Sequence, residues 1–387
     1  MKQVLVVNFK SPPFQGIGGR RWSKISKGLI RKGAVVHNIR AEWTAGDLNG
    51  TFCNGDSRSI EINHPFYQKP GIVKKLKDHW HLIRTKWTGD YSYFDEGAFC
   101  IEELKQALRE VLSNNKIQWV FISCPPYSWT FETVKLVKSE FKDVQIWVDL
   151  RDPWLKANNW GIPGLSPKQR KMEEKRHRFV GENADFISSP AFEILEEFDK
   201  VQLSEKLIHL RHFFDWDDHH SAEPVIPFDS KTWMYTGQFY VGMDEYVDQL
   251  RKFANTHSDL CIKMFSKDAQ RFNSFFSSTQ NVHCEMEQGA GIFEKMSHVH
   301  GLILMLSEYN KDFFTTKFFD YLPLKKPIAY FGPNGKVKQY LKAHGEQLTA
   351  YLPFEVYSLK GYDISQDELS FRVEQILNLC QPTENSI

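Results

Sequence analysis

The stretch QVLVVNFKSPPFQGIGGRRW, residues 3–22, decides the fold class of the N-terminal half. Its apolar run, 3–9, predicts a buried strand, and apolar residues recur along 19–32 at the spacing of one helix face. Gly33 ends that helix, and the apolar run 34–39 starts another strand. A strand, a helix and a second strand in this order are typical of a parallel α/β sheet.

Three glycines, Gly16, Gly18 and Gly19, occupy the turn between that first strand and helix. Glycine lets a ligand approach the backbone closely, and a helix start offers free N–H groups and a positive dipole end. Arg20 and Arg21 add positive charge, so the turn is a candidate anion site. A plain turn with solvated arginines explains the same residues. A dinucleotide fingerprint, G-x-G-x-x-G, does not fit, because SPPFQ makes the approach too long.

The alternation of short strands and helices continues along the chain, stops at a polar stretch and restarts. In the first half we predict helices at 101–114, 130–141 and 167–183, and strands at 117–123, 144–150 and 184–189. In the second half we predict strands at 232–236, 260–265, 282–286, 299–306 and 327–331, and helices at 243–256, 291–298, 315–322 and 366–379. The pattern indicates two Rossmann-like, doubly wound α/β domains facing each other across a cleft. Open α/β sheets bind ligands beyond the carboxyl ends of their strands.

The length of 387 residues exceeds one ordinary core and favours two domains. We place the first domain at 1–210 and the second at 232–365. The stretch 211–231 is polar, has two prolines and no periodicity, and suits a linker. The last segment, 366–387, carries a helix that is a candidate to cross back to the first domain.

Composition is that of a globular protein, with 41% hydrophobic and 25% charged residues. The net charge of +1 gives no bulk attraction to nucleic acid, so an anion site must be local. Six scattered cysteines without a C-x-x-C pair argue against a zinc site or a disulfide framework and fit a reducing cytoplasm. No apolar run approaches the ~18–20 residues that span a bilayer. We expect a cytoplasmic protein, attached at most to the inner face of the membrane.

The segment VDLRDPW, 148–154, places Asp149, Arg151 and Asp152 where a buried strand ends. Charges at the carboxyl end of a strand in an α/β domain favour a functional role. The alternative is an Arg151–carboxylate brace that holds the loop.

The segment SCPPYS, 123–128, also follows a buried strand directly. Its paired prolines stiffen the loop, and the hydroxyl groups of Tyr127 and Ser128 are candidate ligand contacts. A rigid turn without a ligand is the alternative.

The segment TTKFFDYLPLKKPIAYFG, 315–332, combines a helix start with an unusual charge. Thr315 or Thr316 suits an N-cap, and Lys317 then lies in the first turn, where it opposes the helix dipole. An anionic ligand explains this Lys better than stability does. Asp320 lies on the same helix face and could accept hydrogen bonds from sugar hydroxyls. The alternative is a surface Lys317–Asp320 pair worth only ~0.2–0.5 kcal/mol.

Taken in order, GIGGRRWSKISKGLIRKG, SCPPYS, VDLRDPW, MYTGQFY and the segment 315–332 resemble a bacterial glycosyltransferase of the two-Rossmann-domain (GT-B) architecture. The resemblance is strongest to the retaining family-four (group 1) transferases of surface polysaccharide synthesis. The last segment matches the family block TK-hydrophobic-hydrophobic-E-YL-x-x-G-K-P, with Asp320 for Glu and Lys325 for Gly. The family's pair of glutamates with seven residues between them is not visible, because Glu308 and Asp320 lie too far apart.

The resemblance implies that the second domain binds a nucleotide-diphosphate sugar, UDP- or GDP-linked, and that the first binds a glycan or lipid-linked acceptor. Lys317 would hold the diphosphate and Asp320 the ribose, while 282–291 is a candidate cover for the base. Transfer in this architecture uses cationic groups and helix dipoles. Transferases of other folds hold a metal with an acidic D-x-D motif, but the candidate motif of this chain, 215–217, lies in the predicted linker. We therefore expect no metal and no cofactor. The implied catalytic residues are Asp152, Arg151 and Lys317; the donor-binding residues are Gly18, Gly19, Arg20, Arg21, Thr236, Gly237, Thr315, Thr316 and Asp320; the acceptor-binding residues are Tyr127 and Ser128.

One departure from the family lies in the loop 236–246, which lacks the basic residue that often clamps the diphosphate. Lys263 or Lys267 could supply the missing positive charge, but neither occupies a position of the family motif. This absence keeps open a catalytically degenerate binding subunit, beside a nucleotide-sugar epimerase or hydrolase of the same fold. A nicotinamide-dependent dehydrogenase is disfavoured by the poor fingerprint. Both retention and inversion stay open, with Asp152 as the general base of an inverting enzyme.

The segment KKLKDHWHLIRTKW, 74–87, mixes five basic residues with Trp80, Ile83 and Trp87. Such a segment is a candidate for contact with an anionic membrane interface. A solvated helix with its aromatic side chains in the domain core is the alternative.

Overall fold

The computed structural model describes residues 2–12, 17–42, 58–62, 95–156, 165–198, 203–219, 231–286 and 291–381, together with Leu76, Trp80 and Ile83. The chain divides into two compact units. The first comprises Met1–Arg211 and Arg372–Ile387, and the second comprises His212–Phe371. Each unit contains one seven-stranded sheet with helices between its strands.

The first unit is a parallel sheet in the order β3-β2-β1-β4-β5-β6-β7. Strands β1 and β4 are central, and the core side chains of both are almost fully buried, as a parallel sheet covered on both faces requires. The elements are β1 (Gln3–Val7), α1 (Ile17–Arg31), β2 (Val35–Ala41), β3 (Arg58–Ile62), α2 (Ile101–Asn114), β4 (Trp119–Cys124), α3 (Tyr127–Glu140), β5 (Gln145–Leu150), α4 (Pro167–Asn183), β6 (Phe186–Ser189), α5 (Phe192–Leu195) and β7 (Leu207–His209).

The second unit has the order β10-β9-β8-β11-β12-β14-β13, in which β14 pairs antiparallel with both β12 and β13 and the other neighbouring strands pair parallel. Its elements are α6 (Trp216–His219), β8 (Thr232–Thr236), α7 (Asp244–Thr256), β9 (Cys261–Phe265), α8 (Ala269–Phe275), β10 (Val282–Glu285), α9 (Ile292–Ser297), β11 (Gly301–Met305), α10 (Thr316–Tyr321), β12 (Ile328–Phe331), α11 (Lys336–His344), β13 (Glu346–Gln347) and β14 (Val356–Ser358). A last helix, α12, spans Leu369–Leu379.

Aromatic side chains fill the core between each sheet and its helices. In the first unit Trp22 of α1 packs on Phe121 of β4, with ring centroids 5.0 Å apart. In the second unit Trp233 of β8 packs edge-on against Phe253 of α7 at 5.9 Å. These contacts hold α1 and α7 to their sheets.

The residues predicted as a linker are partly structured within the second unit. The N–H of Phe214 donates to Asp367, and the N–H of Leu369 donates to Phe214 (3.0 and 2.9 Å). Phe214 is fully buried, and α6 follows directly. Residues 220–230 of the predicted linker lie outside the described residues.

Candidate functional site

Two residues where β8 ends contact α10: Gly237 meets Lys317, and the Thr236 hydroxyl lies 3.3 Å from the Tyr321 hydroxyl. Gly237 has φ +144, and a Cβ added there would lie 2.0 Å from Lys317 Nζ. The N–H of Gly237 donates to the carbonyl of Phe265 at 3.0 Å, which fixes the loop to the end of β9. The ammonium therefore packs against bare backbone, an approach that any side chain at 237 would block. The structure brings Gly237 and Lys317 together and places Thr236 against the same helix.

Two tyrosines fix the position of the Lys317 ammonium. Nζ donates to the Tyr235 hydroxyl at 3.4 Å and lies 5.0 Å from the centroid of that ring. The Tyr240 ring centroid is 5.7 Å away. Cation–π contacts of this kind stabilise by about 0.5–1 kcal/mol each. These contacts fix the position of the ammonium beside Gly237.

The threonines at the start of α10 lie beside that ammonium in sequence. Thr315 is the N-cap, yet its side chain makes no capping hydrogen bond, and its buried Oγ1 has no hydrogen-bond partner among the described residues. Thr316 begins the helix and is half-buried. A buried hydroxyl without a hydrogen-bond partner lowers the stability of the folded protein. A ligand that accepts a hydrogen bond from Thr315 would explain why this hydroxyl is present.

Asp320, on the same helix, is 8% exposed, which does not match the surface pair considered above. Glu308, the other acidic residue named with it in the sequence, accepts a hydrogen bond from the Tyr246 hydroxyl (2.6 Å). The spacing of seven intervening residues belongs to Asp312 and Asp320 instead. Asp312 accepts from the N–H of Lys336 at 3.0 Å, at the start of α11. The acidic spacing was therefore visible in the sequence, as an aspartate pair.

A basic residue does reach the loop after β8, although none lies within 236–246. The guanidinium of Arg271 on α8 lies 3.7 Å from the centroid of the Phe239 ring. The N–H of Phe239 also donates to Asp268 at 2.9 Å. Lys263 and Lys267, the substitutes considered above, are exposed. Arg271 was missed because only the packing of α8 brings it to this loop.

In the first unit, Gly19 has an internal packing reason. A Cβ added there would lie 1.6 Å from the carbonyl oxygen of Lys10. The carbonyl oxygen of Gly19 accepts hydrogen bonds from the side chains of Asn8 and Ser23 at 3.3 and 2.7 Å. Gly18 lies within α1, and Gly16 lies outside the described residues. The close approach at Gly19 is thus made by the chain itself.

Arg21 is bound within the first unit. Its Nε and Nη2 donate to the carboxylate of Asp149 at 2.8 and 3.3 Å. Nη2 and Nη1 donate to the carbonyls of Leu210 and Arg211 at 2.6 and 3.2 Å. Arg20 is 8% exposed and Arg21 4%. These bonds give Arg21 a structural role, whatever ligand the turn holds.

Tyr127 and Ser128 begin α3 and are buried. The Tyr127 hydroxyl donates to the carbonyl of Pro153 at 2.7 Å. The backbone N–H and the hydroxyl of Ser128 both donate to Asp95, at 2.6 and 2.7 Å. Burial raises the pKa of Asp95 to about 7, against the lowering effect of the hydrogen bonds from Ser128 and Gly97. Asp95 was not predicted, since it lies 33 positions from Ser128 in a region without periodicity.

Arg151 and Asp152 follow β5 and differ in environment. The N–H of Arg151 donates to Cys124 and its Nη2 to Pro125, both at 2.9 Å, so the brace considered above runs to carbonyls. Asp152 is half-buried, and its carboxylate makes no hydrogen bond or ion pair with the rest of the described chain. Desolvation raises the pKa of Asp152, while the positive charges of Arg151 and Lys10 lower it. A carboxyl group in this state beside a strand end is a functional-site candidate.

Comparisons with solved structures define the fold class. Sucrose-phosphate synthase from Thermosynechococcus elongatus superposes with a TM-score of 0.59 at 9% identity, over 85% of this chain and 81% of that one. A glycosyltransferase from Rickettsia africae gives 0.59 at 10% identity, over 98% and 97%. A mutant of S. aureus TarM, in complex with Fondaparinux, alpha-GlcNAc-glycerol and UDP, gives 0.56 at 9%, over 98% and 93%. The chain therefore has the two-domain, Rossmann-like GT-B fold that the sequence predicted. No protein-family model and no curated protein matches its sequence.

Within the described ranges, no three His, Cys, Asp or Glu side chains come together as a metal site. No helix among those residues is long and apolar enough to cross a lipid bilayer. Metal independence and contact with a membrane surface both stay predictions.

Proposed function

We propose that this protein is a glycosyltransferase that moves a sugar from a UDP- or GDP-linked donor to a glycan or lipid-linked acceptor in bacterial surface polysaccharide synthesis. The observation that carries the proposal is the Lys317 ammonium, held against the glycine backbone of Gly237 at the carboxyl ends of the strands in the second unit of a GT-B fold. Ligands of open α/β sheets bind at this edge. The UDP in the TarM complex supports a nucleotide donor.

In the proposed reaction the bond between the anomeric carbon and the diphosphate oxygen breaks, and a bond to an acceptor oxygen forms. Negative charge grows on the departing diphosphate, and a fixed cation already in place lowers the barrier. Lys317 supplies that cation, with Thr315 and Thr316 as hydrogen-bond donors. Asp320 is the candidate for the ribose hydroxyls. No step requires a metal, so we expect full turnover in excess EDTA.

The acceptor hydroxyl must lose a proton in this transfer. Asp152 is suited to receive it in an inverting enzyme, because its carboxylate is half-buried and bound to no described side chain. In a retaining enzyme the proton passes to the departing diphosphate on the same face. The resemblance to family-four transferases favours retention, and NMR of the product anomer decides between the two. Tyr127 and Ser128 would then line the acceptor side through the loop they hold.

The test of nucleotide binding is a thermal-shift panel with UDP, GDP, CMP, TDP and NAD. A ligand that binds only the folded state raises its stability by RT ln(1 + [L]/Kd). We expect a shift with UDP or GDP that is lost in Lys317→Ala and kept in Lys342→Ala, a control whose exposed ammonium pairs with Glu355. Turnover should fall by about 10²–10³ in Lys317→Ala. Turnover of that variant within a few-fold of wild type contradicts the assignment.

Two alternatives share this fold. A structure from Listeria monocytogenes assigned as a UDP-N-acetylglucosamine 2-epimerase superposes with a TM-score of 0.50 at 9% identity. An epimerase or hydrolase turns over the donor without an acceptor, so incubation with nucleotide sugar alone separates it from a transferase. A degenerate binding subunit shows no turnover of any donor. The main argument for a degenerate subunit is the absence of a basic residue in the loop 236–246. Arg271, which packs on Phe239 of that loop, weakens this argument.

Membrane contact through 74–87 is a further part of the proposal. Leu76, Trp80 and Ile83 are helical, four and three positions apart, and expose 66%, 63% and 46% of their surface. Three exposed apolar side chains at this spacing, among five basic residues, suit an anionic interface. The other residues of this segment lie outside the described ones. The protein should co-sediment with vesicles that contain phosphatidylglycerol, and added salt should weaken this binding. The absence of salt-sensitive binding would refute membrane contact through 74–87.

A further inference from the structure

The loop that carries Asp152 is held by a buried carboxylate that the proposed reaction does not use. Glu197, just after α5, accepts hydrogen bonds from three successive backbone N–H groups, those of Trp154, Leu155 and Lys156, at 2.9, 2.8 and 2.8 Å. Its side chain is 2% exposed. Three backbone donors converging on one carboxylate fix the three peptide planes between Pro153 and Lys156.

No cation neutralises Glu197 among its described neighbours. His177 Nε2 lies 3.9 Å from its Oε2, but burial lowers the pKa of His177 to about 4, so the ring is neutral at pH 7. The charge of Glu197 is therefore stabilised by the three N–H groups. Because an uncompensated buried carboxylate is costly, the loop and Glu197 hold each other in place.

The same loop is fixed at other points. The indole Nε1 of Trp154 donates to Glu173 at 3.0 Å, and its ring stacks on Tyr127 at 4.9 Å. Tyr127 in turn donates to Pro153, and Arg151 donates to the carbonyls before α3. The backbone on both sides of Asp152 is thus held, while its own carboxylate is left to act on a ligand.

We propose that Glu197 is a positioning residue that fixes the Asp152 loop for the acceptor side of the reaction. This inference rests on the proposed function for its catalytic consequence, but its structural part can be measured without any substrate. Glu197→Gln keeps one acceptor oxygen and Glu197→Ala keeps none. Glu174→Gln, at an exposed position of α4, is the matched control.

The first measurement is hydrogen–deuterium exchange of the wild type and the three variants. We expect the amides of residues 154–156 to exchange at least tenfold faster in Glu197→Ala, with an intermediate effect in Glu197→Gln, no change in Glu174→Gln and unchanged protection of β8. Unchanged protection of these amides in the folded Glu197→Ala variant overturns the proposal, whatever reaction the enzyme performs.

The second measurement is turnover, well below the unfolding temperature of each variant. We expect kcat to fall at least tenfold in Glu197→Ala, less in Glu197→Gln, with the KM for the donor within twofold of wild type. A purely structural role predicts wild-type kcat in the folded fraction, and that result removes the link to Asp152. If Asp152→Asn keeps wild-type turnover, the proposed role of Asp152 is wrong, while the exchange result still decides the role of Glu197.

Discussion

The buried carboxyl group of Asp95 predicts how the stability of the first unit changes with pH. Its pKa is raised from 3.8 to about 7, mainly by desolvation. Between these two values the folded state holds a proton that the unfolded state has released. The free energy of unfolding must therefore fall as the pH rises through this window, since the folded state loses its advantage in proton binding.

The magnitude follows from the two pKa values. They differ by about three units, and each unit corresponds to about 1.4 kcal/mol, so Asp95 accounts for a loss of about 4 kcal/mol across the window. About 1 kcal/mol shifts Tm by roughly 2–4 °C in a domain of this size. His177 acts in the opposite direction, because burial lowers its pKa to about 4 and its contribution to stability rises with pH. The effect of Asp95 is thus isolated only by comparison with a variant.

The assay is thermal unfolding of the wild type and Asp95→Asn at unit steps from pH 4 to pH 8. The Asn side chain does not titrate. At acid pH the variant is less stable than the wild type, because its amide oxygen cannot accept all the hydrogen bonds from Ser128 and Gly97. We expect the stability advantage of the wild type to shrink by about 4 kcal/mol from the acid to the alkaline end, on the order of 10 °C in Tm. Parallel pH profiles for the two proteins would refute the reasoning.

Three further predictions concern single positions. Gly237→Ala should cost about 1–3 kcal/mol from its positive φ and abolish the nucleotide-dependent thermal shift, because the new Cβ displaces the Lys317 ammonium; Gly361→Ala, with open space around its Cβ, is the control. Lys325→Gly should raise the free energy of urea unfolding by about 0.5–1 kcal/mol, because Lys325 has φ 51, whereas Lys325→Ala should not. In an inverting enzyme with Asp152 as its base, the raised pKa of Asp152 should place the acid limb of the pH profile of kcat/KM above the ordinary range for aspartate, and this limb should vanish in Asp152→Asn; a limb at the ordinary value contradicts the assignment of Asp152 as that base.

Local patterns predicted the elements well where they carried their own signals. Helices α2 and α4 have the predicted bounds, and α4 begins with a capping box between Ser166 and Gln169. Strand β8 also matches its predicted range. In contrast, α3 begins at Tyr127 rather than 130, directly after Pro126. The helices α8 and α11 and the strands β3, β7, β13 and β14 were not predicted, because each is short and its apolar pattern is weak.

In the candidate site, too, the local features were predictable from the sequence, whereas the contacts between distant residues were not. The charge of Lys317 in a first helical turn and the glycine at 237 were visible as local anomalies, but their contact depends on how α10 packs beside β8. The buried ion pair of Arg21 and Asp149 joins residues 128 positions apart, so no local sequence pattern predicts it. Lys325 shows the converse: its replacement of a family glycine was visible in the sequence, and its left-handed backbone supplies the physical reason for that glycine.

The division of the chain has a consequence for its biosynthesis. The second unit is continuous in sequence, whereas the first includes the residues from Arg372 onward, and Glu374 of α12 forms an ion pair with Lys32 of α1. Domains fold as units while the ribosome delivers the chain from its N-terminus. The unit made of the middle of the chain is therefore complete while the earlier one still awaits its last helix. Truncation after residue 371 should consequently impair the first unit, the one farther from the cut in sequence.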